Sequence, residues 1–409
     1  LIRAVVVGLA LLAGPAVAAP FAELAAGRTA DAPELAGLAV VVAGPRGTLR
    51  AEAYGRAVID AAGPTRERAM TVDTPVRVAS VSKLVVAIAV MRLVEAGTLD
   101  LDADVARYTG WQVAGAPTTL RQLLSHTSGL DDAGSYSFPL GVSLRDALTP
   151  AYRSAAPGAR FSYANINYGV VASVVEAATG ERFDRAMTRL VFAPLRLDAC
   201  FNWSGCSDAA IAKAAALYRK GRDETAWDPT GPWIAQIDDL RGRRPACPVR
   251  TAGGCDLAAY RPGDNGTLFS PQGGLRISVT GLATIGRLLL GHGKVDGVRL
   301  MTRASVRTML APAWRGGAAG ETYGGQMRCF GLGVQCLVGG SDQPTVRRVR
   351  WHGHLGEAYG LHSGLWIDPA RRRVYAYAVT GTAADPALYP GRRSAFPAFE
   401  EAVLSALAR

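Results

Sequence analysis

Hydrophobic and polar positions change period along this chain, and the changes mark its elements. Alternating and β-branched residues over 35–53 flank Gly44-Pro45-Arg46-Gly47, which predicts a β-hairpin. Residues 74–78 predict a short strand feeding a helix from about Ser80 to Glu95, stopped by Gly97. That helix, SVSKLVVAIAVMRLVEAG, is apolar almost all round, so a central, buried position is expected. Helical periods recur at 118–125, 168–179, 183–190 and 281–290, and an amphipathic helix closes the chain at 397–407. Residues 346–353, 360–367 and 374–380 predict strands, the last two joined by a turn at Asp368-Pro369-Ala370-Arg371. The stretch 198–268 is rich in Pro and Gly, carries cysteines, and predicts loops.

Strands at both ends with helices between them predict an α+β protein. Residues 25–100 and 271–409 would together form an α/β unit, and 101–270 an inserted helical unit. The chain shows no internal repeat.

Composition agrees with a folded chain: 49% of the 409 residues are apolar and 19% are charged. The formal charge of +11 comes from 45 cationic residues, of which only Lys83, Lys213, Lys220 and Lys294 are lysines. The arginines are scattered without a basic run, which excludes a nucleic-acid footprint. Residues 1–19 place Arg3 before a short apolar run that ends on Ala16-Val17-Ala18, the pattern of a signal peptide cleaved near Ala18. Gly14 and Pro15 interrupt that run, so no transmembrane span is expected after its removal, although a retained N-terminal anchor is the alternative. A periplasmic or secreted location follows. Six cysteines in close pairs fit an oxidising compartment: Cys200 with Cys206, Cys247 with Cys255, and Cys329 with Cys336 are the simplest bridges among several connectivities. No CxxC occurs, so neither zinc nor any other metal or cofactor is expected.

Ser80-Val81-Ser82-Lys83 matches S-x-x-K and puts a hydroxyl and an amine on one helical face. A serine hydroxyl needs a neighbour to take its proton, and a lysine can do so once burial removes its preference for charge. Arginine could not, because a guanidinium stays protonated. A cation in the first helical turn is also locally unfavourable, a common mark of function. Tyr163 and Asn165, within FSYANINYG, supply a phenol to relay that proton and an amide to orient Lys83 and bind substrate; Asn165 is one of only four asparagines. Chance alone gives S-x-x-K about 0.2 times and Y-x-N about 0.1 times in such a chain. His354-Leu355-Gly356 supplies a third element, chosen over His362-Ser363-Gly364 because Gly356 and Gly360 allow close substrate approach along a strand edge. The backbone N–H near Glu357 and that of Ser80 would form an oxyanion hole.

With these motifs in this order, the chain resembles the serine β-lactamase and penicillin-binding-protein superfamily, most closely its class C-like branch. DTPVRVASVSK, LRQLLSHTSGL, FSYANINYG, SPQGGLRISVTGLATIGRLLL and HLGEAYG carry the likeness, over about residues 35–405. The resemblance implies a β-lactamase/transpeptidase-like fold, mainly an antiparallel sheet flanked by helices, with the cleft beside a helical domain. It also implies an acyl-enzyme on Ser80 with Lys83 and Tyr163 as the proton-transfer pair, a substrate-binding set of Asn165, His354, Gly356 and Glu357, and no metal. His126, in HTSGL, is taken as a structural loop residue. Because His354 stands where β-lactamases of this branch carry the Lys of K-T-G, β-lactam hydrolysis is expected to be weak or absent, and an ester or peptide is the expected substrate.

Other chemistries fit less well. No G-x-S-x-G occurs, against an α/β-hydrolase. His352 and His354 share a strand face but lack H-E-x-x-H or a carboxylate cluster, against a metallohydrolase. The remaining alternative is a non-catalytic protein that binds cell-wall peptides or penicillin.

Overall fold

The computed structural model describes residues 20–29, 32–60, 67–221, 226–316 and 322–409. The expected signal segment lies outside the described residues. Among them, nine strands form one antiparallel sheet. In spatial order these are β9 (Trp314–Arg315), β10 (Cys329–Phe330), β11 (Gln335–Cys336), β12 (His352–Ala358), β13 (Leu361–Asp368), β14 (Arg373–Val379), β1 (Gly37–Gly44), β2 (Gly47–Val58) and β3 (Arg68–Ala69). The two chain ends therefore meet in the middle of the sheet, where β1 pairs with β14 in the register Val40↔Tyr377.

Both faces of that central strand are covered, which is why GLAVVVAG is apolar without interruption. Leu38, Val40 and Val42 join a core with Phe21 of α1 (Pro20–Ala25) and Phe399 and Leu404 of α6 (Ala398–Leu407). Ala39, Val41 and Ala43 join the opposite core with Leu282 and Ile285 of α5 (Val279–Leu290). Helix α2 (Val81–Glu95) is buried nearly all round, Lys83 included. Two more helices matter to the site: α3 (Leu120–Leu124), begun by a Thr119–Gln122 capping box, and α4 (Ile166–Thr179).

Three departures from the sequence expectation have local causes. The strand expected at 346–353 begins only at His352, because the Gln343 side chain accepts from Val349 N at 2.8 Å and donates to Val349 O at 3.1 Å, holding 343–349 as a loop. Helix α5 starts two residues early, since Ser278 accepts from Gly281 N at 3.0 Å as its N-cap. The stretch expected to be loops also supplies strands. β5 (Cys200–Phe201) and β4 (Val76–Arg77) flank β8 (Leu275–Ile277), while β6 (Leu217–Lys220) pairs with β7 (Trp233–Ile237) and runs parallel to Gly381–Thr382. Cystines join Cys200 to Cys206, Cys247 to Cys255 and Cys329 to Cys336. Among the described residues no helix is long and apolar enough to cross a membrane.

Helix α5 lies tight on the sheet because Gly286 has no side chain. A Cβ there would stand 2.4 Å from Val374 Cγ1 and 2.9 Å from Leu365 Cδ1. Gly286→Val is expected to lower the free energy of unfolding by about 1–3 kcal/mol, the usual cost of overpacking. A urea midpoint matching wild type would show that the layer yields.

Candidate active site

A short turn between β4 and α2 presents Ser80. Ala79 takes a left-handed φ of 41°, uncommon for a residue with a side chain and costly unless its surroundings enforce it. They do. Ser82 Oγ donates to Ala79 O at 2.6 Å and accepts from Leu275 N at 3.0 Å, which ties the turn to β8. Ser363 Oγ donates to Val78 O at 2.9 Å and ties it to β13. Gly356 of β12 lies against the same turn, so that a Cβ there would be 2.4 Å from Val78 O and 3.2 Å from Ser80 N.

Lys83 lies one helical turn beyond Ser80 and is fully buried. Its Nζ reaches Ser80 Oγ at 3.0 Å, Asn165 Oδ1 at 2.8 Å and Gln272 O at 2.9 Å. Burial lowers its pKa to about 7, and the charge of Asp132 partly opposes the shift. Asp132 also holds Asn165: Oδ2 accepts from Asn165 N at 2.8 Å and Nδ2 at 3.0 Å, and Oδ1 accepts from Ile166 N at 3.0 Å. The carboxylate thus caps α4 from a distant part of the chain, fixing the amide that faces Lys83.

Tyr163 completes the group. Burial raises the phenol well above its ordinary pKa, with Ser80 close enough to oppose the shift in part, so it stays protonated at neutral pH. Its ring lies 4.8 Å from Lys83 Nζ and 4.3 Å, centre to centre, from the His126 ring. His126, itself at a left-handed φ of 57°, accepts at Nδ1 from Ala164 N at 3.2 Å and Asn167 Nδ2 at 3.1 Å. Burial, with the nearby Lys83 charge adding to it, keeps His126 neutral. It serves as the wall that sets the Tyr163 ring, a role within the structural reading of the HTSGL loop.

His354 is fully buried behind the cavity lining, 6.1 Å from the Tyr163 ring and 5.6 Å from Phe330, with Nδ1 bonded to Leu355 O. Burial, and then the Lys83 charge, push its pKa down to about 3, so it offers no cation to a substrate. His362 points to the opposite face, where Nδ1 meets Glu400 Oε2 at 3.3 Å. Ser80, Tyr163, Asn165 and Glu357 all line one cavity of about 700 Å³, with Gly356 at its edge beside Ser80. Cys247 lines it too, and the Cys200–Cys206 bridge encloses the lining residues Asn202 and Trp203. Among the described residues no group of three or more His, Cys, Asp or Glu could hold a metal ion. Asp132 and Gln272 were not singled out from sequence. The signals available were their places in LDDAG, directly after HTSG, and in SPQGG.

Comparison with known proteins places these residues in context. The family model described as Beta-lactamase matches residues 23–395. Esterase EstB of Burkholderia gladioli is 36% identical over 216 residues, which is 46% of this chain and 52% of that protein. Penicillin-binding protein 4 of Amycolatopsis lactamdurans is 28% identical over 253 residues, covering 59% of this chain and 58% of that one. The chain thus spans between half and three fifths of the length of these curated relatives. The solved D-amino acid amidase of Ochrobactrum anthropi SV3 in complex with D-phenylalanine superposes with a TM-score of 0.62 over 92% of this chain and 95% of its own, at 20% identity, a likeness of fold.

The Asp132 charge holds the Lys83 pKa up, so Asp132→Asn is expected to move the midpoint of Lys83 deprotonation to lower pH. The pH dependence of fluorophosphonate labelling at Ser80 reads that midpoint, since a protonated amine cannot accept the hydroxyl proton. A midpoint that stays in place or rises would contradict the coupling.

Proposed function

Because this chain belongs to the β-lactamase family, we propose that it is a serine hydrolase forming an acyl-enzyme on Ser80, with Lys83 and Tyr163 exchanging the protons. One observation carries this reading. Lys83 Nζ donates to Ser80 Oγ at 3.0 Å, Asn165 Oδ1 at 2.8 Å and Gln272 O at 2.9 Å, and once it loses one proton the last two acceptors can hold its remaining N–H bonds while the lone pair turns to Ser80 Oγ. A pKa near 7 keeps much of the amine in that form at neutral pH.

Acylation then follows from the positions of the groups. Ser80 Oγ bonds to the substrate carbonyl carbon as its proton passes to Lys83 Nζ. The oxyanion is received by the N–H of Ser80 and that of the β12 backbone beside Gly356. Collapse breaks the bond to the leaving alcohol or amine, which takes the Tyr163 proton, and Tyr163 recovers one from the Lys83 ammonium. Water reverses the sequence and frees the acid. A phenol held far above its ordinary pKa suits a donor to a basic leaving group.

The bond cleaved is an ester or an amide, in line with an esterase among the relatives and an amidase among the neighbours of like fold. The enclosed, uncharged His354 gives a β-lactam carboxylate no cationic partner at that position, and β-lactam hydrolysis is correspondingly weak. Three cystines support export to an oxidising compartment.

A fluorophosphonate is expected to label wild type and not Ser80→Ala. Lys83→Ala and Tyr163→Phe are each expected to slow p-nitrophenyl ester hydrolysis by at least ~100-fold, the scale of lost acid–base assistance. Equal labelling of wild type and Ser80→Ala, or a near-normal rate in either other variant, would sink the mechanism.

A further inference from the structure

The cavity beside Ser80 contains a buried positive charge that the proposed mechanism does not use. Arg77 of β4 lines it with only 7% of its surface exposed. Directly opposite on β8 is Arg276, so two guanidinium groups meet in one register pair. Asp238 is the carboxylate beside them, and it is committed to Arg276: Nη2 reaches Oδ1 at 2.8 Å and Nε reaches Oδ2 at 3.2 Å, with Trp203 Nε1 also donating to Oδ1 at 2.9 Å. Arg276 further donates to Asn202 Oδ1 and Gly274 O, both at 2.7 Å. Arg77 is left with one bond among the described residues, from Nε to Gly273 O at 2.9 Å.

A guanidinium has five N–H donors, and burying a charge without a matching anion is costly. Burial and then the Arg276 charge lower the Arg77 pKa to about 10, with the Asp238 charge opposing them from beyond its bonds to Arg276, so Arg77 remains a cation at neutral pH. Its fork is roofed by the Tyr359 ring, 5.0 Å from Cζ, and Tyr136 lies within electrostatic range; both tyrosines line the same cavity. The whole lining holds four arginines, Arg77, Arg219, Arg250 and Arg276, against two carboxylates, Asp238 and Glu357.

We propose that Arg77 is a specificity-determining residue that receives a carboxylate on the acyl part of the substrate. A planar carboxylate matches the guanidinium fork with two parallel hydrogen bonds. The assignment to the acyl side rests on the hydrolase reading above. Tyr163 protonates the leaving group in that reading, and its ring packs with His126, Tyr323, Phe330 and His354, whereas the Arg77 guanidinium packs with the Tyr359 ring. The leaving group therefore extends toward Tyr163 and the acyl chain toward Arg77. The preferred substrate is an ester or amide of a dicarboxylic acid, or of an acyl group bearing a free acid.

The test compares mono-p-nitrophenyl adipate, which keeps one free acid, with p-nitrophenyl methyl adipate, which has none. Wild type is expected to prefer the free acid by about 10- to 100-fold in kcat/KM, the scale of a charge-assisted hydrogen-bonded pair, and Arg77→Gln to bring the ratio near one. Equal kcat/KM for the two esters in wild type overturns the proposal, whether or not the variant folds. Calorimetry on the Ser80→Ala protein separates this from the hydrolase reading. Monomethyl adipate is expected to bind at least ~10-fold more tightly than dimethyl adipate. If that holds while wild type turns over neither nitrophenyl ester, the carboxylate site stands and the hydrolase reading falls; if the two adipates bind alike, the carboxylate site falls.

Discussion

A buried amine whose pKa falls to about 7 is the constraint around which this site is arranged. Lys83 sits in the first turn of a helix, where the dipole opposes a cation, and is fully buried, where a charge is costly. Both effects push toward the neutral form, while Ser80 Oγ, Asn165 Oδ1 and Gln272 O each accept from the amine. Asp132 bonds Asn165 and not the amine, and its charge restrains the shift from that distance without forming an ion pair. A direct Lys–Asp contact would have favoured the charged state and removed the base.

The remainder of the site serves that amine by fixing its partners rigidly. The strained turn at Ala79 is tied to β8 through Ser82 and to β13 through Ser363, two strands that belong to different sheets. Tyr163 is placed by packing against His126 and Phe330, so its direction depends on buried surfaces and little on its own loop. His126 and His354 are both neutral, partly because the Lys83 charge is near them. Protons in this pocket therefore reside on a few groups with well-separated affinities.

Much of this was legible in the sequence, for reasons that differ by residue. Helix α2 declared itself by being apolar all round, and Ser80 and Lys83 by a spacing of one turn. Tyr163 and Asn165 stood out by scarcity and order. The depth of His354 was not legible, because a motif gives a position and not a depth: its alternation with Gly356 is visible in sequence, but Phe330, which packs on it, arrives from β10. Asp132 was hidden for the same reason, since it caps a helix whose own N-cap residue makes no capping bond. The strand misplaced at 346–353 shows the limit of hydrophobic pattern, because one glutamine side chain was enough to keep that segment in a loop.

The two cations near Ser80 show how side-chain chemistry divides the labour in one cavity. Lys83 and Arg77 are both buried, and desolvation leads the causes acting on each. The ammonium responds by giving up its proton near pH 7, whereas the guanidinium, with charge spread over three nitrogens, still holds its proton at pH values below about 10. The same burial thus brings one residue to a proton affinity near neutrality and leaves the other a cation. Exchanging the two residue types would replace the titratable amine on the helix with a fixed charge and remove the guanidinium fork from the cavity.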